Sequence, residues 1–428
     1  MKRLLLVLVA LVLAFPVLAQ TAPAPGVTPP DTPTTINMIG WRFPITALYA
    51  KELEMSNNVR NLKVNTQLLN SGDAQQQVRL ALSGGGKSPY EIVQADDVFI
   101  TELASNGWLM PLDDLIAKYK KTYDLGDIGK SLYALGSYKG HVYGIPIDAN
   151  TMNFFYNMDL YKKYNLKVPA TYDDVLANAQ KLKQEPGLDL PFIINLHAGW
   201  AWRIEFHNFL IAYGGKWLND DNTPAFNGPA GVKAADLLMK IVTTCMGTKG
   251  LTKSIDDTEI GLETGTIASA NTWASRAANM DDPKKSKMVG KIGFAPAPSV
   301  VPGGPHAGPA AADFYCIPKN TSVNPELVFQ VIMEATDLAS QSQAASLGIV
   351  TRGKVAARGV GGRYLQAAME TIENGAGNYG PNPAMKVAIA AIENTLPQIA
   401  DGTMTSQQVL DAAAALYVKE AKAQGFLK

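Results

Sequence analysis

The side chains with the clearest chemistry lie at the ends of predicted strands or beside a predicted hinge. They are Trp41, Asp96, Asp97, Asp148, Asn150, Trp200, Trp202, Arg203, Glu205, Trp273, Arg276 and Asp313. Aromatic rings pack on apolar C–H faces of a ligand, and carboxylate, amide and guanidinium groups form hydrogen bonds with its polar groups. The set therefore predicts a binding site that combines stacking with hydrogen bonding.

Each of these residues also has a purely structural interpretation. A tryptophan is often a core residue, and Asp96 or Asp97 could cap the helix that follows them. Trp200 and Trp202 alternate, so on a strand they would face the same side, and Glu205 extends this polar and aromatic cluster one helical turn later.

Catalytic motifs are absent from the sequence. The glycine-rich stretch at residues 83–88 resembles a phosphate-binding loop, but it follows a helical segment where that motif needs a strand. There is no His-Glu-x-x-His and no Gly-x-Ser-x-Gly, and the four histidines lack metal-ligand spacing. We therefore expect no enzyme activity, cofactor or metal, although paired acids leave a glycoside hydrolase possible.

Three strand-like runs position the first part of the site. They cover residues 35–39, 62–69 and 91–95, with helical stretches at 45–55 and 74–82 between them. Strand starts about thirty residues apart fit one strand plus a crossover helix, which predicts a parallel βαβαβ sheet. Ligands of such sheets bind beyond the carboxyl ends of the strands.

The second half of the chain contains enough apolar residues for another core. Two extended pieces, 143–148 and 153–157, have little turn chemistry between them and indicate a hinge. Helices are predicted at 229–244, from Asn324-Pro325 onward, and throughout 382–424.

The N-terminus predicts export. Lys2 and Arg3 precede an apolar run at residues 4–15, and Ala19 marks a cleavage site, so residues 1–19 are interpreted as a signal peptide. Gln20 and Thr21 stand where a lipid-anchored protein would need cysteine. Residues 20–34 are proline-rich and are expected to be a disordered leader. A soluble periplasmic protein without a lipid anchor is predicted.

Length and charge narrow the class further. The 428 residues exceed what one core usually supports, which favours two domains. Lys plus Arg equals Asp plus Glu at 38 each, so no basic surface is available for nucleic acid. Cys245 and Cys316 either form a disulfide in an oxidising compartment or remain buried free thiols.

Short motifs in a fixed order resemble a known family. They are NGWLMPLDD at 106–114, YGIP at 143–146, FYN at 155–157, LYKK at 160–163, YGG at 213–215, FNGPAGV at 226–232, ANTWA at 270–274, VGKIGFAPAP at 289–298 and IPKN at 317–320. The chain resembles the family 1 extracellular solute-binding proteins of ABC importers, the group that includes maltose-binding protein, and within it the sugar and polyol binders.

The resemblance implies an α/β fold of two lobes, each a mainly parallel sheet flanked by helices, joined by hinge crossovers. Lobe 1 is expected at 35–149 and 312–372, and lobe 2 at 150–311 and 373–428. A monomer is expected that captures a sugar or polyol between the lobes and delivers it to the membrane permease subunits of an ABC importer. A sensor that presents bound sugar to a chemoreceptor is an alternative.

Two positions are informative when this chain is compared with the family pattern. Trp273 follows the Ala-Asn-Thr turn, where relatives place ligand-contacting residues. Many relatives have Gly-Gly-Trp where this chain has Ala311-Ala312-Asp313. The resemblance therefore implies that a carboxylate replaces a stacking platform at residue 313.

Overall fold

The computed structural model of the protein describes residues 26–359, 361–380 and 382–428. The strands are β1 (Thr34–Trp41), β2 (Leu62–Leu69), β3 (Ile92–Asp96), β4 (Ser137–Tyr138), β5 (His141–Val142), β6 (Gly144–Asn150), β7 (Met152–Asn157), β8 (Ser269–Trp273), β9 (Ile292–Pro296), β10 (His306–Pro309), β11 (Ala311–Cys316) and β12 (Gly375–Gly377). The helices are α1 (Pro44–Met55), α2 (Ser71–Ser83), α3 (Asp97–Ser105), α4 (Asp113–Tyr119), α5 (Lys130–Leu135), α6 (Met158–Lys163), α7 (Tyr172–Leu182), α8 (Gly199–Ala212), α9 (Pro229–Ile241), α10 (Gly247–Leu251), α11 (Ile255–Thr264), α12 (Ala277–Met280), α13 (Pro325–Ala335), α14 (Leu338–Ala344), α15 (Gly353–Ala356), α16 (Leu365–Asn374), α17 (Met385–Thr395) and α18 (Ser406–Ala423).

The first lobe is built on a five-stranded sheet in the order β2-β1-β3-β11-β6. β1 pairs in parallel with β2 and β3, as the strand spacing predicted. β11 returns later in the chain and lies antiparallel to both β3 and β6. Local caps start the crossover helices, because Pro44 occupies the first turn of α1 and the Asn70 Oδ1 accepts the backbone N–H of Asp73 at 2.9 Å.

The second lobe differs from the predicted mainly parallel sheet. Its three-stranded sheet has the order β8-β7-β9, and β7 is antiparallel to both neighbours. β7 leaves the hinge at Met152, whereas β8 and β9 both run toward it and end at Trp273 and Pro296. β7 therefore runs in the opposite direction to both of its neighbours, and the pairing is antiparallel.

Each lobe has its own hydrophobic core. The chain crosses between the lobes at Thr151, whose hydroxyl donates to the Pro309 carbonyl of a second crossing at 2.6 Å. A third crossing lies between Arg352, which pairs with Asp127 at 3.3 Å in the first lobe, and Tyr364 in the second-lobe core. α16 packs on β9 and β10, although residues up to 372 were predicted in the first lobe.

The predicted signal peptide and residues 20–25 lie outside the described residues. The rest of the predicted disordered leader packs on the first lobe: Val27 is buried, and the backbone N–H of Thr28 donates to Gln330 Oε1 at 2.9 Å. Within the described part of the chain, no helix has the length and apolar character needed to cross a membrane.

The two cysteines do not form a disulfide. Both are buried free thiols, and they belong to different cores, Cys245 to that of the second lobe and Cys316 to that of the first. Burial raises the pKa of Cys245 to about 12. The disulfide interpretation is therefore wrong, because the fold places the two side chains in separate lobes.

Candidate functional site

A cleft of about 1380 Å³ lies between the two lobes at the hinge. Nine of the residues predicted from the sequence line it: Trp41, Asp96, Asp97, Asn150, Trp200, Arg203, Trp273, Arg276 and Asp313. These residues come from segments far apart in the chain, and the fold brings them together. They were predicted only because they lie at predicted strand ends and hinges.

The first lobe contributes acids at the carboxyl ends of its strands. Asp96 ends β3 and its Oδ1 accepts the Phe99 N–H at 2.7 Å, so it also caps α3. Asp97 is the first residue of that helix, and Asp313 lies beside Asp96 in the register of β11 with β3. Trp41, at the end of β1, adds an indole ring that is 8% exposed. This side of the cleft therefore offers hydrogen-bond acceptors next to an aromatic ring.

The second lobe contributes rings and cations. Trp200 and Arg203 are three residues apart on α8, so they share one helix face. Trp273 is a partly exposed ring at the end of β8. Arg276 follows it and donates to Glu259 Oε2 at 2.6 Å. This wall can stack on an apolar face and donate hydrogen bonds.

Opposite charges face each other across the cleft. Burial would lower the pKa of Arg203, but Tyr379, Glu393 and Asp96 together raise it. Burial and the Asp96 carboxylate raise the pKa of Asp97 to about 7, against the opposing charge of Arg203. Arg203 donates from Nε to Glu393 Oε1 at 2.8 Å, and its guanidinium lies 5.2 Å from the centroid of the Tyr379 ring.

Asn150 joins the lobes at the hinge. Its Nδ2 donates to Ser275 Oγ at 3.2 Å, and its Oδ1 accepts the Ser275 backbone N–H at 3.3 Å. Ser275 belongs to the second lobe, while Asn150 is the last residue of β6 in the first. Asn150 therefore lines the cleft and also fixes the first crossing.

Three predicted site residues do not line the cleft. α8 is a helix, so Trp202 and Glu205 point away from the face of Trp200 and Arg203 and are buried in the second lobe. The strand alternation proposed for Trp200 and Trp202 is therefore wrong. Asp148 lies beside Asp313 on the neighbouring strand of the first-lobe sheet and is fully buried.

Glu205 should make the stability of the protein depend on pH. Burial raises its pKa to about 8, so the folded chain keeps a proton that the unfolded chain releases above its ordinary carboxyl pKa. The free energy of unfolding of the wild type should thus fall by about 2 kcal/mol relative to Glu205→Gln between pH 6 and 7.5. Urea unfolding of both proteins measures this, and parallel pH profiles would contradict it.

The sequence interpretation missed several cleft residues. Tyr379 precedes the stretch that was predicted as helical, 382–424, and α17 lies inside that stretch. The cleft-lining positions of α17 are Lys386, Ile389, Ala390, Glu393 and Asn394. Their spacing follows one helix face, and the mixture of polar and apolar side chains on that face is the signal that could have found them.

In the described ranges, no group of three or more His, Cys, Asp and Glu side chains could hold a metal ion. Acceptors on one lobe and rings and donors on the other are suited to holding a neutral, hydroxyl-rich molecule by stacking and hydrogen bonding.

The two lobes are joined by three crossings and enclose a cleft between them. This arrangement defines the periplasmic binding-protein fold. The chain belongs to the bacterial extracellular solute-binding protein family, whose sequence profile matches residues 58–332. The match includes both sides of the hinge at Thr151.

Individual relatives are more distant. An uncharacterized ABC transporter extracellular-binding protein of Pyrococcus horikoshii is 29% identical over 31% of this chain and 30% of its own length. The mannitol-binding protein of Pseudomonas aeruginosa is 26% identical over 46% of this chain and 45% of its own. The chain thus spans less than half the length of these curated relatives.

The fold likeness extends further than the sequence likeness. An ABC transporter solute-binding protein from Agrobacterium radiobacter K84, solved in complex with ribitol, superposes with a TM-score of 0.78. The superposition covers 91% of this chain and 99% of the other at 21% identity, so the two proteins share a fold.

Proposed function

We propose that the protein is the substrate-binding component of an ABC importer and captures a sugar or polyol in the interlobe cleft. The observation that supports this most is the composition of the cleft, with Trp200 and Trp273 on one lobe facing Asp97 and Asp313 on the other. Ligand contacts with both lobes favour a closed form, because they are complete only when the lobes approach.

Among these ligands we favour an acyclic polyol or a small sugar. Relatives in sequence and in fold are named for mannitol or were solved with ribitol. Asp96, Asp97 and Asp313 add an excess of acceptors on the first lobe, and a polyol supplies hydroxyl donors along its whole length. The absence of a ring in a polyol also suits a cleft in which Asp313 stands where relatives carry a stacking tryptophan.

The proposed ligand contacts are the nine predicted residues that line the cleft, with Tyr379 and Glu393 added from the C-terminal segment. We also propose that residues 1–19 direct export to the periplasm and are removed there. In this proposal the protein acts as a monomer and delivers its ligand to the permease subunits of the importer.

A thermal-shift panel tests the proposal. The purified mature chain is heated with D-mannitol, ribitol, D-sorbitol, maltose and glucose at millimolar concentrations, and a ligand that binds only the folded state raises the melting temperature. Recovery of the ligand unchanged after incubation distinguishes a binding protein from a glycoside hydrolase. No shift with any member would contradict the proposed ligand class.

Ligand affinity should depend on the ionisation of Asp97. Its pKa of about 7 leaves it mostly neutral at pH 6 and mostly a carboxylate at pH 8, where it accepts ligand hydroxyls. The affinity for D-mannitol should therefore rise up to about tenfold between these pH values. Calorimetric titration of the wild type and Asp97→Asn measures it, and the variant should lose most of the rise.

The exposed Asp220 provides the control for that experiment, because it lies away from the cleft. The pH profile of Asp220→Asn should follow that of the wild type. If Asp97→Asn follows it too, Asp97 does not govern the pH dependence.

A further inference from the structure

Asp148 and Asp313 form a buried pair of facing carboxyl groups beneath the cleft. They are directly opposite each other in the antiparallel pairing of β6 with β11. Opposite residues in such a pair have Cβ atoms about 4.5–5.5 Å apart, so the two carboxyl groups are close neighbours. Asp148 is fully buried, and in the described structure neither of its oxygens receives a hydrogen bond.

The surroundings of the pair contain acids and hydroxyls. The groups that face it are Gln94 and Asp96 on β3, Asp97 on α3, Tyr49 on α1 with Glu52 behind it, Tyr315 on β11, and Tyr364 across the hinge. None of these neighbours is a cation. The hydroxyls of Tyr49, Tyr315 and Tyr364 have no hydrogen-bond partner in the described structure.

Two carboxylates in this environment cannot both be ionised, because removal from water and mutual repulsion each disfavour the second charge. Burial raises the pKa of Asp148 well above its ordinary value. Burial and then the charge of Asp148 raise the pKa of Asp313 in the same way. The pair therefore needs either a proton or a bound cation.

Only one member of the pair reaches the cleft. Asp313 lines it, whereas Asp148, beside Asp313 on the neighbouring strand, is fully buried and does not line it. We propose that Asp148 is a positioning residue: it shares one proton with Asp313 in a hydrogen bond between the two carboxyl groups and leaves the other oxygen of Asp313 free to accept a ligand hydroxyl. This inference rests on the proposed function for its ligand and makes the affinity of the site depend on a proton that the ligand never contacts.

Infrared difference spectroscopy tests the proton without any ligand. The C=O stretch of a protonated carboxyl is separate from that of a carboxylate, so subtracting the spectrum of Asp148→Asn from that of the wild type at pH 7 should show a protonated-carboxyl band. The same subtraction with Asp220→Asn should show a carboxylate band instead. A carboxylate band for Asp148, or a stabilisation by Na⁺ or Ca²⁺ that Asp148→Asn removes, would overturn the proposal.

Binding of D-mannitol tests the positioning role. Asp148→Leu has a similar volume and no donor, so it should weaken binding about tenfold at pH 7, since a hydrogen bond to a charged group is lost. Asp148→Asn keeps a donor and should recover affinity to within about threefold of the wild type. Equal affinities for the two variants would overturn the positioning role.

Two further measurements keep these outcomes interpretable. Circular dichroism checks the fold of Asp148→Leu, and Asp313→Leu, which removes the outer acceptor at a similar volume, should weaken binding by at least a similar factor. A wild type that binds neither D-mannitol nor ribitol contradicts the proposed polyol ligand, and the infrared result then decides the shared proton on its own.

Discussion

Replacement of Trp273 by alanine is expected to weaken polyol binding about 100-fold and to remove the thermal shift caused by the ligand. The ring lies at the end of β8 on the cleft wall and is partly exposed, so it offers a flat apolar surface to a bound molecule. Loss of the area that such a ring buries against a ligand costs about 2–3 kcal/mol, and 1.4 kcal/mol corresponds to a factor of ten.

The unliganded fold should tolerate this change, because a partly exposed ring at a cleft contributes little to the core. Calorimetric titration with the polyol that gives the largest thermal shift provides the affinity, and the melting temperature without ligand provides the stability. Trp108→Ala is the matched control, since Trp108 is a partly exposed tryptophan of the first lobe outside the cleft. Unchanged affinity of Trp273→Ala would remove this residue from the site.

The sequence predicted the first lobe best where structure is local. The period-two pattern of residues 62–69 corresponds to β2, and the runs at 35–39 and 91–95 differ from β1 and β3 by one or two residues at each end. Caps such as Asn324, whose side chain accepts the Glu326 N–H at 3.0 Å, placed helix starts correctly. These features depend on neighbours in the chain, so the sequence contains them directly.

Features that depend on distant partners were harder to predict. The antiparallel sheet of the second lobe follows from where β8 and β9 meet β7, and no periodicity specifies that. The C-terminal segment was predicted as one helical stretch, but Leu396–Asp401 is a 3₁₀ turn that separates α17 from α18, with Gly402 in a left-handed conformation. The position of Pro397 inside that turn explains the break.

The candidate site shows the same division. The rule that ligands bind beyond the carboxyl ends of strands found Trp41, Asp96 and Asp97, which line the cleft. The same rule failed for Trp202, because residues 200–202 were interpreted as a strand although they belong to α8. Glu393 was missed because α17 reaches the cleft through its packing on α8, and Tyr379 because it lies in the irregular segment between β12 and α17.

Arg203 connects these two parts of the site, and its loss should have the largest effect of any single change. Arg203→Met keeps most of the side-chain volume but removes a cation that acts on Asp97 from the opposite lobe. The affinity for D-mannitol should fall about 100- to 1000-fold. Part of the loss is a charged donor to the ligand, since a hydrogen bond to a charged group contributes about 1.5–3 kcal/mol.

The expected loss of affinity also reflects changes in the neighbouring acids. Without the guanidinium, the pKa of Asp97 should rise further, so that Asp97 is neutral at pH 7 and a weaker acceptor. The cost in stability should be smaller than the cost in affinity, because Glu393, the partner of Arg203, has a side chain that is 31% exposed and remains solvated.

Arg276→Met is the matched control for this prediction. Arg276 lies on the same wall, but Asp256 and Glu259 of its own lobe pair with it at 2.9 and 2.6 Å, so its charge is already balanced without the first lobe. Its replacement should weaken binding no more than about tenfold. Small-angle scattering with saturating ligand should then show a closed form for Arg276→Met and a more open one for Arg203→Met, because the charge of Arg203 acts on Asp97 across the cleft. Equal affinities and equal closure of the two variants would mean that charge across the cleft does not hold the lobes together.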